Sequence, residues 1–258
     1  MIKKILAFIK KEKTKGRSFV NILMKGIVKV ENILNNKNVY YGYKKYNKPF
    51  LISYSRSGTN WIRYFIEIIA NKPTPGQFRI QDGTDYYIDR AHAGFVRAKK
   101  HNKIILVLRD YKSCIARHHN ITKIRKNYES ISDFLNKNDI QQPAIWYYYN
   151  IKAFEDFDSE KLLLYYEDIL SKPKENFTRL GKFLNLNEQK TISFIKNIDN
   201  HKSNSIDAYT SGGHKSLTGG DIAKNHHNSK LSEQEANEFD NYFKKDIYIF
   251  NKYLKRYE

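Results

Sequence analysis

Between Phe50 and Trp61 the chain reads Phe-Leu-Ile-Ser-Tyr-Ser-Arg-Ser-Gly-Thr-Asn-Trp, an apolar run that gives way to small polar residues and re-emerges as an amphipathic helix. Phe50, Leu51 and Ile52 make the continuous apolar run of a strand buried on both faces, as in a parallel sheet. Ile62, Phe65, Ile66 and Ile69 then recur at i, i+3, i+4 and i+7, one face of a helix starting near Asn60. A strand feeding a helix through Ser55, Arg56, Ser57, Gly58 and Thr59 aims backbone N–H groups, hydroxyls and one guanidinium at a single point. The helix dipole favours an anion there. The turn is therefore expected to hold a phosphate or sulfate; the plainer alternative is a βα turn whose Gly and Ser only satisfy geometry. The nucleotide-hydrolase pattern Gly-x-x-x-x-Gly-Lys-Ser/Thr is absent, because there is one Gly and the cation precedes it.

From Pro49 onward strand and helix patterns alternate. Lys103–Leu108 and Lys161–Tyr166 read as two more buried strands. Helices are expected over Asp110–His119, Ile131–Asn136, Pro143–Phe157, Lys174–Leu184 and Glu188–Ile198. Ser232 and Glu235 have capping-box spacing at the head of a last helix that buries Phe239, Tyr242 and Phe243. This alternation implies an α/β fold, a three-layer α/β/α sandwich around a central parallel sheet, with ligands at the carboxyl ends of its strands.

Residues 1–47 read as a basic helical extension to a domain spanning 48–258. Ile2, Ile5, Leu6 and Ile9 make an apolar stripe against Lys3, Lys4, Lys10, Lys11 and Lys13. Such a stripe suits peripheral contact of residues 1–13 with an anionic membrane, or packing on the domain. A second stripe, Val20, Leu23, Ile27, Val30 and Leu34, continues at helical spacing. A signal peptide fits poorly, since the apolar centre is only Ile5 to Ile9 with no small-residue cleavage site after it.

The 258 residues suit one α/β domain with an extension. The lone cysteine, Cys114, excludes an intramolecular disulfide and thiolate-built zinc or iron–sulfur sites, which fits a cytoplasmic protein. A net charge of +19 attracts small anions. Because Lys is abundant together with Asn, Ile and Tyr, as an AT-rich coding skew would give, the charge argues little for a nucleic-acid partner.

Two further anion anchors follow. The second strand ends in Arg109-Asp110, and Arg109, Ser113 and Arg117 share a helix face at i, i+4 and i+8, where they could hold one phosphate; the alternative for Arg109 is a surface ion pair. The third strand ends in Tyr165-Tyr166-Glu167-Asp168-Ile169-Leu170, followed by Pro173 and Phe183-Leu184. A glycine-rich stretch, Gly212 to Asp221, lies further on.

Taken in order, these elements resemble the sulfotransferases that use 3′-phosphoadenylyl sulfate (PAPS), over about Pro49 to Asp221. Tyr54-Ser55-Arg56-Ser57-Gly58-Thr59-Asn60-Trp61 resembles the family's 5′-phosphosulfate loop, usually Tyr-Pro-Lys-Ser-Gly-Thr-Thr-Trp, with Ser55, Arg56 and Asn60 departing from it. Arg keeps the charge of Lys and adds a planar fork, but is not its equivalent as a mobile point charge or proton donor. Arg109 matches the strand-terminal Arg of the 3′-phosphate motif. Eight residues later the family has Ser and this chain Arg117, so either Arg117 or Ser113 completes that contact. The third element is similar to the family's Tyr-Glu-Asp-Leu, which implies that Tyr166 and Trp61 stack on the adenine; without the resemblance both would read as core aromatics. The stretch 212–221 resembles the closing element Arg-Lys-Gly-x-x-Gly-Asp-Trp, without its Trp, and implies Lys215 over the 3′-phosphate. The resemblance thus implies a P-loop-NTPase-like sulfotransferase fold with Arg56, Ser57, Gly58, Thr59, Asn60, Trp61, Arg109, Ser113, Arg117, Tyr166 and Lys215 binding PAPS as co-substrate, and no metal.

A base is also needed. The pairs His118/His119 and His226/His227 cannot each turn both rings to one site, and neither has an acid or Cys at metal-ligand spacing. His92 lies shortly before the second strand, where cytosolic-type sulfotransferases carry Lys-Thr-His-Leu-Pro with the catalytic His, and Arg90 stands where they have Lys. A neutral imidazole suits general-base work near pH 7, worth typically ~10²–10⁴ in rate. The implied reaction is sulfuryl transfer to a hydroxyl or amine, with His92 taking the acceptor proton and Arg56 and Arg90 neutralising sulfonate and bridging-phosphate oxygens. Acceptor loops are expected at Gln77–Tyr87 and in the run Trp146–Tyr149, which suit a small molecule or glycan with an apolar or stacking face. Two rivals stand beside this. A nucleotide or small-molecule kinase would want a Walker-type Lys-Ser/Thr. A non-catalytic basic protein binding nucleic acid or membrane would bind with steep salt dependence.

Overall fold

The computed structural model describes residues 46–76, 80–126, 143–210 and 231–258. All but the last two residues of the expected extension, the expected helix at Ile131–Asn136 and the stretch containing Lys215 lie outside them.

Four parallel strands form the sheet, in the order β2-β1-β3-β4. They are β1 (Phe50–Ser53), β2 (Asp89–Ala91), β3 (Lys103–Leu108) and β4 (Glu160–Tyr165). Alternation of side chains across the pleat divides the core in two. Phe50, Ile52, Ile104, Leu106 and Leu108 point to one face. There they meet helices α2 (Tyr111–Lys126), α3 (Pro143–Glu155) and α8 (Glu233–Lys244) through Ile115, Tyr147, Ile151, Phe239 and Phe243. Leu51, Ile105, Val107, Leu162 and Leu164 point to the other face. Their partners are α1 (Thr59–Ala70), α5 (Pro173–Phe183) and α6 (Glu188–Lys196), through Phe65, Ile66, Phe177, Leu180 and Phe194. Each such aromatic or aliphatic side chain, fully buried, contributes about 1.5–3 kcal/mol. The three-layer α/β/α arrangement expected from the alternation is therefore the one observed.

Short helices α4 (Tyr166–Ser171) and α7 (Ile198–Thr210) flank α5 and α6, and helical turns over 247–257 follow α8. The capping box at α8 forms as expected: Ser232 Oγ accepts from Glu235 N at 3.3 Å and Glu235 Oε2 accepts from Ser232 N at 2.8 Å. Two features differ from the sequence reading. Strand β2, Asp-Arg-Ala at the sheet edge, has no apolar run to announce it. Tyr166 opens α4 rather than ending β4, because Glu167 and Asp168 fall in a first helical turn where the dipole favours acids. Among the described residues no helix is long and apolar enough to cross a membrane.

Candidate active site

The turn between β1 and α1 is built around two left-handed residues, Arg56 at φ 69° and Gly58 at φ 81°. Gly58 is the N-cap of α1, and no side chain caps that end. Thr59 turns inward, its hydroxyl 2.6 Å from Ser53 Oγ, so it can meet a ligand only through its N–H. Ser57 Oγ is buried and makes no hydrogen bond of proper length and angle, although the Cys114 thiol is near enough to feel it. An orphaned hydroxyl beside an uncapped helix N-terminus fits an anion bound in the turn. Arg56 is exposed at the tip.

Sheet register brings the other motifs to this turn. β1 pairs β3 with Ser53 opposite Val107, so the turn after β1 and Arg109 after β3 leave the sheet at the same end. β3 pairs β4 with Leu108 opposite Tyr165, so the next rung sets Arg109 beside Tyr166. The contacts follow. Arg109 Nη1 donates to the Arg56 carbonyl at 3.0 Å, and its guanidinium lies 4.5 Å from the centre of the Tyr166 ring. That ring covers Gly58 so closely that a Cβ there would stand 2.1 Å from Tyr166 Cδ2. Tyr147, from the expected acceptor run, instead steadies Arg109 by donating its buried hydroxyl to the Arg109 carbonyl at 2.7 Å.

Arg109, Asp110, Ser113, Tyr166, Glu167 and Leu170 line an open cleft of about 470 Å³, together with Arg256, Tyr257 and Glu258 of the C-terminal tail. The tail is fastened there by a two-pronged ion pair between Arg256 and Asp168, 2.6 and 2.9 Å, and by Tyr257 donating to Glu167 at 2.9 Å. Of the two candidates beside Arg109, Ser113 is already engaged: its hydroxyl donates to Asp110 Oδ2 at 2.7 Å, and Asp110 also accepts from the backbone N–H groups of Lys112 and Ser113 as the cap of α2. Arg117 is held below its ordinary pKa, first by burial and then by the charge of Arg109. An anion bound near both side chains would offset that repulsion.

The β1–β2 register sets Ile52 opposite Ala91, so His92 follows beside Ser53. Its Nδ1 lies 2.9 Å from the Ser53 carbonyl. A carbonyl only accepts, so Nδ1 carries the proton and Nε2 is the basic nitrogen. The imidazole is held at a pKa of about 4, mainly by burial, then by Arg90, with Arg56 and Arg63 adding to the effect and the Ser53 bond opposing it. His92 is thus neutral near pH 7 and surrounded by the cations that the sequence reading groups with it.

Several contributors carry no motif. Arg63 and Glu67, i and i+4 on α1, form a buried pair at 3.5 Å. Arg63 also donates to Thr74 Oγ1 at 2.8 Å and to Asn60 Oδ1 at 3.2 Å, while Glu67 accepts from the Ile80 and Gln81 N–H groups at 2.7 and 3.2 Å. This network fastens part of the expected acceptor loop to α1 and, with Asn60 Oδ1 taken by Arg63, directs the Asn60 amide hydrogens elsewhere. The opposite charges at helical spacing beside an apolar stripe are its one sequence signal. Trp61 is 8% exposed and packs at 5.3 Å against Phe177 and 5.6 Å against Phe194, within the core. His118, unremarkable in sequence, hydrogen-bonds the buried Tyr54 hydroxyl at 2.6 Å.

No family model matches the chain. No curated protein sequence matches it either. Among solved structures, a mouse sulfotransferase complexed with PAP aligns at a TM-score of 0.54 and 16% identity, over 79% of this chain and 84% of that one. At that identity the likeness establishes the fold: a parallel sheet flanked by helices, shared with a sulfotransferase.

Proposed function

We propose that this protein transfers a sulfuryl group from PAPS to a hydroxyl or amine of a small-molecule or glycan acceptor. The observation that carries the proposal is the meeting of three distant segments at the carboxyl ends of β1, β3 and β4. Gly58 in the anion turn lies under Tyr166, Tyr166 lies under Arg109, and Arg109 holds the Arg56 carbonyl. A donor phosphorylated at both ends needs two anion anchors; in this reading the turn holds one end and Arg109 with Arg117 the other. Tyr166, packed between Gly58 and the Arg109 guanidinium, links the two anchors rather than offering a free face to the base. Trp61, by contrast, is chiefly a core residue whose neighbours shape the same end of α1.

In the transfer, a bond forms between the acceptor oxygen or nitrogen and sulfur as the bridging sulfur–oxygen bond breaks. The acceptor proton passes to His92 Nε2, and adenosine 3′,5′-bisphosphate leaves. Arg56 and Arg90 offset charge on the sulfonate and bridging oxygens; a fully desolvated donor is worth on the order of 3 kcal/mol, and Arg56, exposed at the tip of the turn, less. Burial first, and after it the charges of Arg90, Arg56 and Arg63, lower the basicity of His92; an incoming sulfonate and phosphate would offset only the part owed to the arginines. Lys215 belongs to the proposal as the residue over the 3′-phosphate.

Calorimetry with adenosine 3′,5′-bisphosphate against ATP, with and without magnesium, tests the reading. Bisphosphate binding without magnesium is expected; tight ATP binding with none to the bisphosphate refutes it in favour of a kinase. His92→Ala should abolish transfer from radiolabelled PAPS while leaving bisphosphate binding intact.

A further inference from the structure

The loop that carries His92 is held from α3 by one buried amide. Asn150, 1% exposed, donates from Nδ2 to the His92 carbonyl at 2.8 Å and accepts at Oδ1 from the Phe95 N–H at 3.2 Å. Both ends of the amide are thus spent on main-chain groups three residues apart, within the segment that leaves β2. From the opposite side the same segment is pressed onto β1: a Cβ on Gly94 would stand 2.5 Å from Ile52 Cγ2, so only glycine lets the turn approach so closely. The ring is fixed separately, through Nδ1 on the Ser53 carbonyl. Only an amide offers a donor and an acceptor at adjacent atoms of one rigid plane; Asp lacks the donor and Leu, of similar volume, lacks both.

We propose that Asn150 is a positioning residue for His92, clamping the main chain on either side of Ala93 and so fixing where Nε2 meets an acceptor. It rests on the reading of His92 as the base. The ring bond to Ser53 sets the tautomer only while the His92 backbone keeps its distance from β1; with the clamp gone, the loop can lift and Nδ1 loses its carbonyl. A displacement of about 1 Å at a reacting group can cost ~10² in rate. Asn150 is not expected to touch donor or acceptor.

The readout that a merely structural residue would not move is the state of the His92 ring. Nitrogen NMR of full-length protein labelled at histidine is expected to show His92 as the single Nδ1–H tautomer in the wild type. In Asn150→Leu, and in Asn150→Ala as a second variant, both tautomers should be populated. Affinity for adenosine 3′,5′-bisphosphate should stay within about twofold, and transfer from radiolabelled PAPS should fall roughly 10- to 100-fold through kcat, with KM for PAPS unchanged. An unchanged tautomer and an unchanged transfer rate in either variant overturn the proposal. Should neither variant fold, hydrogen exchange in the wild type decides: a Phe95 amide that exchanges as fast as an exposed loop refutes the clamp, and strong protection supports it. Failure of the underlying reading looks different, since His92→Ala would then retain transfer whatever Asn150 does.

Discussion

Replacing Gly58 by Ala isolates the contact on which the site is assembled. Two costs are expected. A non-glycine residue at φ 81° costs about 1–2 kcal/mol. A methyl at 2.1 Å from Tyr166 Cδ2 forces the ring to move, an overpacking cost of about 1–3 kcal/mol. The sum, about 2–5 kcal/mol, corresponds to a fall in Tm of roughly 5–15 °C for a domain of this size. A double-mutant cycle separates the parts. In a Tyr166→Ala background the ring that the methyl strikes is gone, so the same substitution should cost mainly the backbone part, leaving a coupling of about 1–3 kcal/mol. Because the Arg109 guanidinium rests 4.5 Å from that ring, the displaced ring should also weaken adenosine 3′,5′-bisphosphate binding. Denaturant unfolding of the four proteins, with calorimetry on each, measures both effects. Additive costs within about 0.5 kcal/mol, together with unchanged bisphosphate affinity, would refute the placement of Tyr166 over the turn.

Three further outcomes follow from the same geometry. Arg109→Lys keeps the charge but loses the fork that reaches the Arg56 carbonyl, so the preference for adenosine 3′,5′-bisphosphate over the 5′-monophosphate should drop about tenfold; an unchanged preference in competition binding would remove Arg109 from the 3′-phosphate. Glu67→Ala should cost about 3–5 kcal/mol by urea unfolding, since it strands Arg63 in the core and frees the Ile80 and Gln81 N–H groups; a loss under 1 kcal/mol would contradict the burial of the pair. Stability should be full above about pH 6.5 and fall as pH drops toward 4: His92, held at about 4 when folded, gains its proton more readily unfolded, for about 3 kcal/mol. His101 and His201, also held down by burial, act in the same sense, and urea midpoints for wild type and His92→Gln at pH 7 and 5 should converge at the lower pH.

What was legible in the sequence was local. The apolar run and stripe around Ser55 to Thr59 announce a strand, a turn and a helix because each depends on near neighbours. Arg109 could be placed because it ends a long apolar strand. The contest between Ser113 and Arg117 could not be settled by helical spacing, which ignores that Asp110 caps α2 with bonds that also engage Ser113. Strand β2 was invisible because Asp-Arg-Ala, with no large apolar residue, becomes a strand only through pairing with Phe50 to Ile52. Trp61 lies on an apolar helix whose periodicity is the same whether a ring faces the core or a ligand. Tyr147 and Asn150 emerge only once α3 is laid against the loop they hold.

The sheet register has a kinetic consequence. Phe50 pairs with Asp89 and Ile104, and Lys103 with Glu160, so each pairing closes a loop of dozens of residues before it is rewarded. The turn, Arg109 and Tyr166 become neighbours only when β1, β3 and β4 are side by side, so the candidate site is not assembled in any fragment that lacks one of them. A nucleotide that bridged them, as proposed, would bind only chains in which β1, β3 and β4 are paired. It should therefore slow unfolding while leaving the rate of refolding nearly untouched, and serve as a reporter of the last step of assembly.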